Sequence, residues 1–534
     1  MGRPTNKSTM PRINFPQNKA RSQALSFAAT AVQDYKRGKA DNGSFDHIPQ
    51  SLLSRQKFTA LLAASKASCR KRLIDFRLLV AATLATTADQ KLSYGTENGY
   101  DIADFTGHYN ALARARGLPE VSAPAIEYQL KKTEFTVLMR LIFEHMTTQK
   151  LKMGLESDEV KKALDLISEA VGMPITDLRS TDGCYFCGDS SLAKYFPASR
   201  TAHKEGSKGA SQIGIQACYS LKHSAFVSIE ITGGTAYEPN HVHPEPNTIT
   251  MGDAAFGIYA NFAKFEDYDA FQVAMGRSNM AAKICEAYVD GKKLPKTEIK
   301  GKKPKDFLRY DVRHNVELLI EGESKNDFRL MVDSDAVAIK VPRIVKLRAF
   351  RIFDPSKGPT WVLTNLPQTV PFRAVLALMR LRWSIERAFL DLKSHNNLRG
   401  ARTKSRFLAQ SMVWASLITA LVKLVTIRCA ELLYNRSLSL RRCHKLDQYD
   451  QEFSGWAVSV ITSVFGRALL GISFTFTEVL HRLGRSKHTG VCRPSAKNRR
   501  RSLAHHLAVL IFELGGNKSK EILLLPYKPM PKCA

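Results

Sequence analysis

From Pro371 to Gly400 the chain reads PFRAVLALMRLRWSIERAFLDLKSHNNLRG, with no helix breaker between its opening proline and the closing glycine. Proline suits a first helical turn, so the stretch predicts one long basic helix. At about 100° per residue, Met379, Arg382, Glu386 and Lys393 share one side of the cylinder. Leu381, Ile385, Ala388, Phe389 and Leu392 form an adjacent apolar face. The helix is therefore expected to bury the Ile385 face and to present Glu386 beside it, between cations. A carboxylate bracketed by Arg and Lys suits a site that holds a metal and grips a phosphate. A simple Arg–Glu pair one turn apart fits the same residues.

The chain has 534 residues and a formal charge of +30, from 79 Lys and Arg against 49 Asp and Glu. That length supports more than one domain. The charge predicts a polyanionic partner, nucleic acid first and an anionic membrane surface second, because each phosphate contact releases condensed counterions. The nine cysteines are scattered and odd in number, as expected of reduced thiols in a cytosol. Met1 to Lys19 is polar and carries no signal-peptide core. Two apolar windows, Ala409–Ile427 and Trp456–Phe476, carry Lys423 and Arg467 at mid-span, so both are read as buried helices rather than membrane spans.

Residues 1 to about 150 have apolar repeats at helical spacing with Lys and Arg opposite them. Within this region a helix, a Gly117-Leu118-Pro119 break and a Ser122 start suit a helix-turn-helix, with Tyr128, Gln129, Lys131 and Lys132 on the recognition segment. A plain helical bundle fits equally. Between about 175 and 285 the pattern changes to short β-branched and aromatic runs: LRSTDGCYF, SQIGIQACYSLK, SAFVSIEITGG and NTITMGDAAFG, then a helical YANFAKFEDYDAF and FQVAMGRSN. Three strands, then strand, helix and strand, is the order of a ribonuclease H-like sheet. Residues about 286 to 355 read as a β-rich insertion, and the chain turns helical again after Ala401.

Two aspartates stand at strand ends. Asp182, in RSTDGCYF, fits a metal ligand or an Asp-Gly hairpin turn, with Asp189 as a fallback carboxylate. Asp253, in ITMGDAAFG, fits a ligand or the N-cap of the following helix. Cys184 and Cys187 with His241 and His243 form a poorly spaced Cys2His2 set, which argues against zinc. No phosphate-cradling G-x4-G-K-[ST] and no G-x-S-x-G occurs, so neither an ATPase step nor a serine hydrolase is implied.

RLRWSIERAFLDLK resembles the glutamate motif of bacterial insertion-sequence transposases with a DDE active site, of the IS-four type with a Tyr-x2-Arg-x3-Glu-x6-Lys signature. Arg382, Glu386 and Lys393 match in register, while Met379 stands at the Tyr position, where the family positions the transposon end. WVLTNLP upstream and NLRGARTKSRFLAQ downstream resemble the flanking segments. The resemblance implies an α/β protein: a ribonuclease H-like catalytic domain at 151–434 with a β-rich insertion at about 286–355, a helical DNA-binding region at 1–150 and a helical basic C-terminal region at 435–534. It implies Asp182, Asp253 and Glu386 as catalytic metal ligands for two Mg²⁺ or Mn²⁺ ions, and Arg382, Lys393 and Trp361 as DNA contacts; Lys208, in KEGSKGASQIG, would add a cation for the DNA strand, and solvated lysines fit equally. Trp361 would hold a flipped base, though a core Trp fits too. The expected activity is cleavage and strand transfer at the ends of the protein's own insertion sequence. Its partners would be terminal inverted repeats, target DNA and a second copy in a synaptic dimer in a bacterial cytoplasm, not a membrane. The alternative is a catalytically inactive sequence-specific DNA-binding protein that keeps the fold.

Overall fold

The computed structural model describes residues 52–68, 74–88, 101–153, 156, 158–199, 211–277, 280–311, 313–324, 327–332, 335–340, 343–354, 358–396, 398, 403–433 and 503–515. Among the described residues six helices come first: α1 (Arg55–Ser65), α2 (Phe76–Ala88), α3 (Ile102–Arg114), α4 (Ala123–Leu130), α5 (Thr133–Lys152) and α6 (Asp158–Val171). Ser122 is the N-cap of α4, as its position predicts, but the expected second segment divides at Lys131–Lys132 into α4 and α5.

Strands β1 (Asp177–Gly188), β2 (Ser211–Ser220), β3 (Ala225–Gly233) and β4 (Thr248–Gly252) follow, then α7 (Tyr259–Glu266) and β5 (Phe271–Gly276). β1 pairs antiparallel with β2, and β2 with β3, whereas β4 lies parallel to both β1 and β5. Every residue of β4 is buried, the pattern of a parallel strand covered on both faces. The order β3-β2-β1-β4-β5 is the ribonuclease H-like core that the strand runs predict.

The β-rich insertion does not stand apart from that core. It supplies β6 (Lys283–Val289), β7 (Lys292–Lys293), β8 (Val316–Ser324), β9 (Asp327–Val332), β10 (Asp335–Lys340), β11 (Arg343–Asp354) and β12 (Gly358–Thr364). β12 pairs antiparallel with β5, and β11, β8, β6 and β7 continue outward from it, giving one ten-stranded sheet. Only β9 and β10 form a separate hairpin among the described strands.

After the sheet come α8 (Phe372–Leu381), α9 (Trp383–His395), α10 (Arg406–Leu433) and α11 (Leu503–Glu513). Alternation along the strands divides the core. On β12, Val362 joins the layer made with α6, α8 and α11, while Trp361 and Leu363 join the opposite layer with α7 and Phe307. A third cluster joins helices α1 to α5 to α9, α10 and the β1–β2 face. The apolar window Ala409–Ile427 lies in α10, and from Ala409 to Val422 it packs into this cluster, with Thr419 and Ser411 bonded to Thr87 and Thr136 at 2.9 Å. No helix among the described residues is long and apolar enough to cross a membrane. The window Trp456–Phe476 lies outside the described residues.

Candidate active site

The register of β1 on β4 builds the site. Ser180 stands opposite Met251, where the ladder ends. Two residues further along each strand, with the side-chain parity kept, come Asp182 and Asp253. β1 does not turn at Asp182–Gly183. It runs straight through, pairing Asp182 with Ala217 and Gly183 with Gln216, so the hairpin reading fails there. Asp253 is not the N-cap of α7, which is Ile258. Instead its carboxylate accepts from the Ala255 amide at 2.7 Å and closes a tight turn after β4.

A third carboxylate joins them that the sequence reading missed. Glu238 opens a short 3₁₀ turn, Glu238–His241, between β3 and β4. The Tyr185 hydroxyl donates to Glu238 Oε1 at 2.9 Å and in turn accepts from Gln216 Nε2 at 2.9 Å. Asp182, Glu238 and Asp253 each offer an oxygen, and these atoms lie within 4.8 Å of one another. Gly183 makes room for the group, since a Cβ there would stand 2.3 Å from Glu238 Oε1. Nothing in TAYEPNH distinguishes Glu238 from an ordinary loop glutamate; the only pointer is a glycine beside Asp182, whose need becomes clear in three dimensions.

Glu386 approaches from the helices. The apolar face lies as predicted: Leu381, Ile385, Phe389 and Leu392 are buried, and Glu386 is only partly covered. The single long helix, however, is interrupted at Arg382, between α8 and α9. There the Ile385 amide bonds back to the Arg382 carbonyl at 3.3 Å, a tighter three-residue closure. Ser180 Oγ donates to the Leu381 carbonyl at 3.4 Å and shares a 2.8 Å bond with Ser384 Oγ, which fastens the junction to β1. Arg382 Nη2 pairs with Glu386 Oε1 at 2.6 Å, and Nη1 reaches Asp182 Oδ2 at 3.5 Å. One guanidinium thus links the glutamate helix to the strand carboxylate. The simple one-turn Arg–Glu pair is also present, as one half of this bridge.

Burial pushes the Asp182 carboxyl up to about 7; Arg382 opposes this, while Glu238 and Asp253 add to it. Burial also raises Glu238, against the Tyr185 hydrogen bond and with help from Asp253. Crowded acidic groups of this kind call for a cation. Hard carboxylate oxygens in this number and spacing suit a hard divalent ion, so the donor set fits a Mg²⁺- or Mn²⁺-type metal.

The other expected contacts are placed less uniformly. Trp361 is fully buried, its ring in the layer beside Gly276 and Leu363, so none of its surface is available to a base: it is a core residue here. Met379 is buried with α6 and α11 and does not line the cleft. Lys393 is half-exposed on α9, and Lys208 lies outside the described residues. Asp189 caps the turn Ser190–Leu192, accepting from Ser191, and stands outside the acidic group. Cys184 is buried and Cys187 exposed on β1, and His241 pairs with Glu230 at 2.7 Å. In the N-terminal region Tyr128 is 65% exposed and carries Lys132 over its ring, Lys131 pairs with Glu127 at 2.5 Å, and Gln129 is buried.

An aspartate within β1 and another just past β4 on a ribonuclease H-like sheet, with a helical glutamate tied to the first through Arg382, form an arrangement of the class suited to metal-dependent phosphoryl transfer. Residues 181–422 match the family described as Transposase DDE domain, which supports a DDE-superfamily transposase domain in that stretch. The match begins one residue before Asp182 and encloses Asp253 and Glu386. Transposases of that family act on DNA and use divalent metal ions. A comparison with curated proteins found no match.

Proposed function

We propose that this protein is a cut-and-paste DNA transposase that cleaves and rejoins the ends of its own insertion sequence, with Asp182, Asp253 and Glu386 as its catalytic carboxylates. The observation that carries this reading is that strand register brings Asp182 and Asp253 together while the guanidinium of Arg382 joins Asp182 to the helix glutamate Glu386. Two bound Mg²⁺ or Mn²⁺ ions would supply activation of the attacking oxygen and stabilisation of the leaving one. Asp182 and Asp253 hold their positions by strand register, and Glu386 by the fastening of α8–α9 to β1. Arg382 and Lys393 meet the phosphates of the scissile strand, and Lys208 extends the same track.

Water attacks the phosphodiester at the element end and frees a 3′-hydroxyl. That hydroxyl then attacks a phosphodiester of the target DNA. Residues 1–150 read the terminal inverted repeat, 151–434 carry the chemistry, and the basic 435–534 region adds backbone contacts; two copies pair two ends in a synaptic dimer. The charge of +30 supports an extended DNA track. The test is cleavage of labelled element ends with and without Mg²⁺, alongside D182N, D253N and E386Q. Loss of metal-dependent cleavage in all three is expected. Binding of ends without cleavage by the unaltered protein would favour a catalytically inactive DNA-binding protein instead.

A further inference from the structure

The cleft holds four carboxylates and one arginine, and they are not equally shared. Asp182, Glu238 and Asp253 form one group. Glu386 is not in it, and its Oε1 is held by Arg382 at 2.6 Å. The same guanidinium reaches Asp182 at 3.5 Å. We infer that Glu238 completes the first ion site with Asp182 and Asp253 in the DNA-free protein, while Arg382 occupies the second position as the counter-ion of Asp182 and Glu386. This rests on the reading of the cleft as a divalent-metal site and divides the labour within it.

Three features aim Glu238 at that role. Its turn is anchored by buried Pro239 and by the His241–Glu230 pair, so the side chain starts from a fixed point. Tyr185 orients the carboxylate through Oε1 and is itself held by Gln216. Gly183 leaves the space that the carboxylate fills, and any side chain there would displace it. A loop glutamate with no function would not need a glycine in the middle of an otherwise regular strand.

Arg382 has the marks of an occupant that can be exchanged. Its forked head meets one carboxylate closely and the other at the limit of a hydrogen bond, and its buried Nε has no partner among the described residues. A phosphate diester accepts the same fork in a bidentate manner. Backbone drawn into the cleft would therefore take the guanidinium, and Glu386 would be released to ligate. On this account the second position opens only as DNA arrives.

The test counts Mn²⁺ bound to the full-length, DNA-free protein by electron paramagnetic resonance, with thermal unfolding as a check on folding. The unaltered protein should bind one ion. E238Q should weaken that binding at least tenfold, and G183A should weaken it comparably but add nothing further in an E238Q background. E386Q should stay within twofold, and R382Q should bind a second ion. An unaltered affinity in E238Q, an equal loss in E386Q, no ion bound to the unaltered DNA-free protein, or a single ion in R382Q would each overturn the inference. Failure of the underlying reading looks different: D182N and D253N would then retain both Mn²⁺ binding and cleavage of element ends.

Discussion

Strand β1 carries two aspartates five positions apart, Asp177 buried and Asp182 partly buried, and their surroundings differ in one respect that matters. At its start, Asp177 pairs with Arg179 at 3.0 Å, accepts from Ser220 Oγ at 2.9 Å, and shares its arginine with Glu245 at 2.6 Å. Further along, Asp182 shares Arg382 with Glu386 and faces Glu238 and Asp253 as well. Burial pushes both carboxyls upward, and at Asp177 the next causes are all attractive. At Asp182 two further carboxylates add to the burial. A buried acid is therefore not in itself a site. The first is a closed structural knot; the second is short of positive charge, and a divalent ion would close it.

The largest expected effect separates the two by activity. Asp182→Asn should lower cleavage of element ends by about a thousandfold or more while leaving the fold intact. Asp177→Ala should do the reverse in kind. It leaves buried Arg179 with Glu245 alone and should cost about 3 to 5 kcal/mol in denaturant unfolding, with or without metal. A thousandfold activity loss without destabilisation in Asp177→Ala would break the comparison.

Proton linkage sharpens it next. The folded-state carboxyl of Asp182 lies at about 7, against an ordinary value of 3.8, so between those values the folded chain holds a proton that the unfolded chain has released. Metal-free stability should therefore fall as pH rises from about 4 to about 7 and level off above that. Excess Mg²⁺ should raise the melting temperature above pH 7, where the carboxylates are ionised. Melting curves in EDTA across that range, read as the difference between the unaltered protein and Asp182→Asn, isolate the term; a flat difference would refute it. The smallest effect concerns Ser180, which sits between the two aspartates and ties α8–α9 to β1. Ser180→Ala should cost about 1 kcal/mol and slow cleavage several-fold, without moving Mg²⁺ affinity in the DNA-free protein.

Much of this molecule is legible in its residues. The runs from LRSTDGCYF to FQVAMGRSN appear as β1 to β5 in the expected order, and Ser122 and Pro371 stand at helix starts, each as the residue just ahead of the first helical one. Ile385 and its neighbours face the core, with Glu386 beside them. The DDE assignment likewise rests on residues that can be quoted in order. Beside Glu238, three features of the fold were not legible. The β-rich insertion extends the central sheet through β12 on β5, because strand pairing between distant segments leaves no local trace. Trp361 belongs to the core, because alternation says that a side chain faces one way without saying which layer lies there. The break at Arg382 has no glycine or proline to announce it; it accompanies the contacts of Ser180 with Leu381 and Ser384 from another part of the chain.

Local chemistry by itself determined most of the elements and the cationic excess, and the resemblance of RLRWSIERAFLDLK to a known motif singled out Asp182, Asp253 and Glu386, since periodicity, charge and motif spacing are properties of neighbours in the chain. Only the tertiary structure decided that Glu238 stands with the two aspartates, that Arg382 binds Glu386 and Asp182 together, and that Asp177 is neutralised where Asp182 is not. Electrostatic balance depends on distances through space, and those are set by the register of β1 on β4 and by the docking of α9 on the sheet.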